Sequence, residues 1–343
     1  MAKCVVWRIV LLGLFLGACT TGHSHPLAAQ DPPPQRLAFA LIGDLGYRPE
    51  HEPWLENLLT ELNQTPLAFV VHVGDLGAPP FGSGTNEFWA RRMAQFQALT
   101  HPLVYTPGDN DWTDCHEQER APGYEPLERL AQLRTVFFTG EQSLGQRTIP
   151  LTRQSQTMDP GLANYRENVR WTAGGITFVT VHVVGRNNGL GRTAEGDVEY
   201  AERNTANLAW LRQGFAHARA SQSRAIMILQ QANIFPEFPP LPALLGTQPS
   251  GFTDLRALLE QETIAFGKPV VLVHGDSHFC RIDKPFGARV VRGVTTPAVE
   301  NCTRVETFGS PNHHWVQVTV DADEPQVFPF RQRIVVPNVV KRQ

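Results

Sequence analysis

The residues best placed to do chemistry are aspartates that follow a glycine at the end of an apolar run. Such runs are Phe39-Ala40-Leu41-Ile42-Gly43-Asp44, Val70 to Asp75, Val104 to Asp109 and Val270 to Asp276. Short β-rich runs bounded by turn residues predict buried parallel strands, and in open α/β sheets ligands bind just past the carboxyl ends of such strands. The pattern therefore predicts that Asp44, Asp75, Asp109 and Asp276 converge on one point. Four carboxylates held together repel one another unless a cation sits among them, so the chemistry predicted is cation binding.

The elements that must position these acids alternate between strand and helix. A strand at 37–43 precedes a helix from Glu50 to Leu62, with Trp54, Leu55, Leu58, Leu59 and Leu62 at helical spacing. Strand 67–73 leads through a Pro/Gly loop to a helix over Glu87 to Leu99, capped by Thr85 or Asn86. Strand 102–106 delivers Gly108-Asp109-Asn110-Asp111, and Pro126 to Phe138 is a third helix. Thr139 to Leu162 has no clear period and predicts a surface excursion. Val169 to Val184 reads as a β-hairpin around Ala173-Gly174-Gly175. Trp210, Leu211, Phe215 and Ala218 mark a long helix before strand Ala225 to Leu229. A Pro-rich loop and a helix from Asp254 to Ala265 then precede strand Pro269 to Val273, which brings in His274-Gly275-Asp276-Ser277-His278.

Composition limits the function classes. With 343 residues, 42% hydrophobic and 18% charged, the chain is globular. A net charge of -3 and dispersed basic residues give no support to a nucleic-acid partner. Lys3 and Arg8 flank an apolar run, Val5 to Leu16, of signal-peptide length, which ends in Leu16-Gly17-Ala18-Cys19. That end resembles a bacterial lipobox, which implies cleavage after residue 18, lipidation of Cys19 and a lipid anchor as the only membrane contact. The chain would then sit in the cell envelope, facing the periplasm or exterior; a plain secretory signal is the alternative. Residues 19–36, with Pro32-Pro33-Pro34, read as a tether, 37–336 as one domain and 337–343 as a tail. Of the remaining cysteines, Cys115, Cys280 and Cys302, the last two would form a pair, or all three are buried thiols.

The succession Gly43-Asp44-Leu45-Gly46, Gly74-Asp75-Leu76-Gly77, Gly108-Asp109-Asn110-Asp111, a strand ending at Leu229, and Gly275-Asp276-Ser277-His278 resembles the calcineurin-like metallophosphoesterase family over residues 37–320. The resemblance implies an α/β fold, a metallophosphoesterase-like β-sandwich of two mixed sheets flanked by helices. It also implies two divalent metal ions and hydrolysis of a phosphomonoester or phosphodiester, a phosphorylated small molecule. By the family's pattern Asp44 would ligate the first metal, Asp75 would bridge both, and His278 would return to the first.

Departures from that pattern fall in the site. Asp109 replaces the asparagine of G-N-H, Asn110 the catalytic histidine, and Asp276 the first histidine of G-H-x-H; Gln230 or Gln231 stands where the fourth motif has a histidine. The second metal would then have Asp109, Asp276 and Gln231, hard oxygen donors that suit Mn²⁺ or Mg²⁺, whereas Fe or Zn is open to the first. Purple acid phosphatases supply a tyrosine in G-D-x-x-Y, and Ala78 at that position argues against tyrosinate-bound iron. Asn110 has no transferable proton, so His116, His182 or His274 would act as the acid or the leaving group would be a good one. His274 reads equally as catalytic or structural, while His72 and His182, inside apolar runs, read as core histidines. Arg186 and Asn187 would contact phosphate, although a hairpin turn explains the asparagines at 187 and 188 equally well. The alternative to an enzyme is a catalytically impaired member that binds a cation and a ligand or partner.

Overall fold

Two sheets pack face to face because their strands are apolar on both sides. The computed structural model describes Met1 and residues 37–116, 123–157, 164–235, 249–291, 293–321 and 324–339, so the signal segment, Cys19 and the tether lie outside the described residues. The first sheet holds β1 (Ala38–Ile42), β2 (Val70–His72), β3 (Leu103–Tyr105), β13 (Trp315–Thr319) and β14 (Phe330–Arg333), in the order β14-β13-β1-β2-β3. Strands β1, β2 and β3 run parallel, and β13 and β14 are antiparallel additions. The second holds β4 (Thr152–Arg153), β5 (Val169–Ala173), β6 (Ile176–Thr180), β7 (Ala225–Leu229), β8 (Val270–His274), β9 (Arg281–Asp283) and β12 (Cys302–Glu306). Its order is β4-β5-β6-β7-β8-β12-β9, with β6, β7, β8 and β12 parallel. A separate ribbon pairs β10 (Arg289–Val291) with β11 (Val294–Thr296).

Alternation along each strand divides the core. Phe39, Leu41, Val71 and Val104 meet Phe178, Met227, Leu229, Val271 and Val273 between the sheets. Phe39 stacks on Phe69 at 4.7 Å, and Phe69 meets the edge of Phe178 at 5.2 Å, which ties the two layers together. On the outer side of the first sheet, Ala40, Ile42 and Val70 pack under the helices Glu52–Gln64, Asn86–Gln97 and Pro126–Phe137. Ile226, Ile228, Val270 and Leu272 pack under Ala194–Ala220 and Thr253–Phe266. These are the two mixed sheets flanked by helices that the sequence implies. No helix among the described residues is long and apolar enough to cross a membrane.

Several boundaries differ from expectation for local reasons. Thr85, not Asn86, caps the second helix, its hydroxyl accepting from the Phe88 amide at 3.1 Å. The stretch after Thr139 is not bare surface, since Leu144 bridges to Leu103 and β4 joins the second sheet. Asn338 is buried, its side-chain amide donating to the carbonyls of Trp54 at 2.8 Å and His313 at 2.9 Å, so packing continues past residue 336. Cys115, Cys280 and Cys302 are free thiols. Pairing of β9 with β12 sets Arg281 opposite Glu306 and Asp283 opposite Arg304, which leaves Cys280 and Cys302 at opposite ends of the ladder.

Arg92 fixes the exits of β1 and β2. It is buried, with Nε donating to the Leu76 carbonyl at 2.8 Å, one terminal nitrogen to the Gly46 carbonyl at 3.1 Å, and both terminal nitrogens to Glu52 at 2.9 and 2.7 Å. Arg92→Met leaves two buried carbonyls and a carboxylate without their partner. It is expected to cost about 3 kcal/mol, read in urea titration as a lower midpoint at unchanged slope; an unchanged midpoint would show that the two loops do not depend on it.

Candidate metal centre

Three of the four aspartates singled out in sequence leave their strands in an uncommon backbone conformation. Asp44, Asp75, Asp276 and His278 have φ of 55°, 57°, 74° and 65°, the left-handed region that costs an ordinary side chain about 1 kcal/mol or more. The turn aims the carboxylates back over the sheet ends. Small residues make the approach possible: a Cβ on Gly108 would overlap the Asp75 carboxylate, and one on Gly275 the Asp44 carboxylate.

The acids then meet through shared donors. The Tyr47 hydroxyl donates to Asp75 Oδ2 at 2.6 Å and lies 3.3 Å from Asp44 Oδ1 and 3.2 Å from His278 Nε2. His278 Nε2 is also 3.5 Å from Asp44 Oδ1, while its Nδ1 is 2.8 Å from the Ser310 carbonyl, which holds the ring with Nε2 toward the acids. Gln231 donates to Asp109 Oδ1 at 2.9 Å and to Asp75 Oδ2 at 3.3 Å, and the Gly185 amide fixes its oxygen at 2.7 Å. The Asp276 amide donates to both Asp44 oxygens at 3.1 and 3.2 Å, and Asp276 Oδ2 accepts from the Asn233 amide at 2.9 Å. Asp44, Asp75, Asp109, Asp276, Gln231 and His278 thus belong to one connected group, and of the two glutamines it is Gln231 that joins. Gln230 instead donates to the Ala232 carbonyl.

Asp111 holds this arrangement from beneath. Its carboxylate accepts from the amides of Asp75 at 3.0 Å, Leu76 at 2.8 Å and Gly108 at 2.8 Å, and from the Tyr105 hydroxyl at 2.7 Å. One buried side chain therefore links the second and third loops. The Asn110 amide donates to Asp75 Oδ1 at 3.0 Å, so its side chain starts at the edge of the group.

Burial and mutual repulsion dominate the electrostatics. Burial, then the charges of Asp109, Asp44 and Asp111, push the Asp75 carboxyl well above its ordinary range. Burial, then Asp276 and Asp114, do the same to Asp109, and burial raises Asp276 to about 6. Burial followed by the Asp75 and Asp44 charges raises the Tyr47 phenol. His278 goes the other way: burial opposes its charge, but the bond to Asp44 and that carboxylate's field hold it up to about 9.

Other expected residues lie elsewhere. His274 continues the parity of Val270 and Leu272 and so falls on the helix-facing side; burial lowers it to about 3 and its Nδ1 is 2.8 Å from the Gly275 carbonyl. It is not bonded to the acid group. His182 is buried, accepting from the Trp112 indole at 3.1 Å and bonded to Glu167 at 2.8 Å, and His72 is a core histidine lowered by burial to about 3. The Asn187 side chain bonds the backbones of Leu190, Pro249 and Gly251, joining two loops rather than facing the acids. Arg186 has φ of 49° and pairs with Asp114 at 3.3 Å; Arg192 meets the same carboxylate at 2.7 Å. His116 is exposed, its Nδ1 2.7 Å from the Thr113 carbonyl. Tyr47 is the residue the sequence argument passed over. The second motif has Ala78 where a tyrosine was sought, yet a phenol reaches the site from the first motif, three residues after Asp44.

By type the side chains suit a hard divalent cation, being mostly carboxylate and phenol oxygens with one imidazole, whereas Gln231, expected as a ligand, turns its nitrogen to the acids and its oxygen to the Gly185 amide. Among the described residues no group of three or more His, Cys, Asp or Glu side chains is placed so that it could hold a metal ion as it stands. Tyr47 and Gln231 stand between the acids instead.

No family model and no curated protein matches the chain. Among solved structures it is similar to GAP50, the anchor in the inner membrane complex of Plasmodium, with TM-score 0.44 and 10% identity over 87% of this chain and 89% of that one. It is similar to a 5'-nucleotidase from Candida albicans, with TM-score 0.43 and 10% identity over 86% of this chain and 50% of that one. A phosphatase of Mycoplasma pneumoniae gives TM-score 0.41 and 9% identity over 87% and 92%.

Because buried acids with raised pKa hold protons, a cation that enters must displace them. Apparent Mn²⁺ affinity is expected to fall below about pH 6, where Asp276 takes up its proton, by about tenfold per pH unit for each proton displaced. Calorimetry in buffers of different ionisation enthalpy would show proton release; affinity that is flat from pH 5 to 7 would remove Asp276 from the binding group.

Proposed function

We propose that the chain is a metal-dependent phosphoester hydrolase with a carboxylate-rich centre. The observation that supports this most is the meeting of Asp44, Asp75, Asp109 and Asp276 at strand ends from both sheets, three of them with left-handed backbones. A purely structural cluster gains nothing from such repulsion and backbone cost. In this reading Asp44, Asp75, Tyr47 and His278 hold one cation, open to Fe or Zn. Asp75, Asp109 and Asp276 would hold a second, beside a Gln231 whose oxygen is taken by the Gly185 amide, with Mn²⁺ or Mg²⁺ favoured by the carboxylate oxygens. When bound, a pair of divalent ions supplies positive charge for the phosphoryl oxygens and activates water.

The protein's own groups do the rest. Arg186 and Arg192, gathered at Asp114, lie at the edge of the acid group and orient an anionic phosphoryl group. Asn110 donates a hydrogen bond but no proton, and His274, His182 and His116 are not bonded to the acids, so substrates with a stable leaving anion are preferred. A lipid on Cys19 would hold the domain at the envelope. Cys19→Ser is expected to move the protein to the soluble fraction, and continued membrane association would overturn the anchor.

The same absence of a proton donor favours a second reading, a cation-dependent binding protein without turnover. Metal analysis with an aryl phosphate assay separates the two: two equivalents of divalent metal with turnover support the hydrolase, and one tightly held Ca²⁺ without turnover supports the binding protein. In the hydrolase Asp75→Asn leaves at most one equivalent and lowers kcat about 100-fold; two retained equivalents would remove Asp75 as the shared ligand. Asn110→His is expected to raise turnover of alkyl phosphates about 100-fold and of aryl phosphates much less. Equal effects on both would show that position 110 does not serve the leaving group.

A further inference from the structure

The loop from Gly275 to Cys280 carries Asp276 and His278 from β8 to β9, and on the way it crosses the end of β12, the strand that lies between those two. Glu306 is the last residue of β12. It pairs in register with His274 on one side and Arg281 on the other, the residues at which the loop begins and ends. A fully buried carboxylate is costly unless its oxygens are paired, and here both face the crossing chain. Oε1 accepts from the Phe279 amide at 3.0 Å, and Oε2 lies 2.9 Å from Arg281 Nε, an ion pair outside hydrogen-bond alignment.

The chain just after Glu306 holds the His278 ring. The Thr307 amide donates to the His274 carbonyl at 2.9 Å, and the Ser310 amide donates to the Asp44 carbonyl at 2.7 Å. The Ser310 carbonyl is 2.8 Å from His278 Nδ1, and a Cβ on Gly309 would fall 2.6 Å from His278 Cγ, so the ring lies directly against this backbone. Glu306 meanwhile fixes the peptide that follows His278. That matters because His278 has φ of 65°, a left-handed backbone that persists only where its neighbours over-determine it. Burial raises the Glu306 carboxyl to about 7 against the Phe279 amide and Arg281, and the Asp44 charge adds to the rise, which places Glu306 within the field of the acid group.

We propose that Glu306 is the positioning residue for His278: by accepting from the Phe279 amide it holds the imidazole with Nε2 toward Asp44, the orientation that a ligand of the first cation needs. This rests on the cation reading of the acid group. It adds to the site a side chain that touches none of the acids and lies in none of the glycine-aspartate motifs.

The test is titration of the full chain with cobalt(II), followed by the visible absorption of the bound ion. Glu306→Leu is expected to weaken the site that includes His278 by about tenfold or more and to change its absorption, the usual scale for losing a partner that orients a ligand. Glu306→Gln, whose amide oxygen still accepts from Phe279, is expected to restore the natural spectrum. Gly309→Ala presses on the ring from its other side and is expected to share the loss, which keeps the test open if Glu306→Leu does not fold. Arg304→Met controls for stability alone, because Arg304 is buried on the same face of β12 but pairs with Asp283 and not with the loop; it is expected to lower the urea midpoint and leave the spectrum unchanged. Natural cobalt(II) affinity and absorption in Glu306→Leu or Gly309→Ala, or an equal change in Arg304→Met, would overturn the positioning role while the cation centre stands. No cobalt(II) bound by the natural chain would overturn both.

Discussion

Repulsion among buried carboxylates is the constraint on which the structure turns. Asp44, Asp75, Asp109 and Asp276 are held within hydrogen-bond reach of shared donors, where burial and mutual charge push three of them toward the protonated form. Among the described residues of the directly bonded group His278 is the one cationic side chain, and it cannot balance four acids. Arg186 and Arg192 are occupied at Asp114. The deficit is what a divalent cation would offset, so cation binding and the stability of this junction are linked.

The fold serves that junction with buried polar groups placed just outside it. Arg92 ties the loops after β1 and β2, Asp111 ties those after β2 and β3, and His313 accepts from the Gly46 amide at 2.8 Å to hold the loop that carries Tyr47. Ser310 fixes His278 through its carbonyl and bonds His51 through its hydroxyl at 2.9 Å. Each links chain segments far apart in sequence. The site is therefore rigid because the two-sheet core is, and its strained backbones persist because their neighbours leave them no alternative.

The acids were legible because each closes an apolar run, a signal that composition and period carry directly. Gln231 was half legible. Carrying the alternation of Leu229 one step past the strand puts residue 231 on the inter-sheet side and Gln230 toward the helices, and the same parity with Leu272 puts His274 among the helices. Tyr47 had no such signal, because its position depends on the left-handed turn at Asp44, which sequence shows only as the glycines at 43 and 46. The bonds of Asn187 to Pro249 and Gly251, and those of Asp111 to Asp75 and Leu76, span 35 or more residues, and no local pattern encodes them.

The most direct measurement is anomalous scattering from crystals of the full domain grown with Mn²⁺. Two peaks are predicted, one among Asp44, Asp75 and His278 and one among Asp75, Asp109 and Asp276. Absence of any peak at these side chains under saturating Mn²⁺, with the Tyr47 hydroxyl still seated on Asp75, would contradict the account.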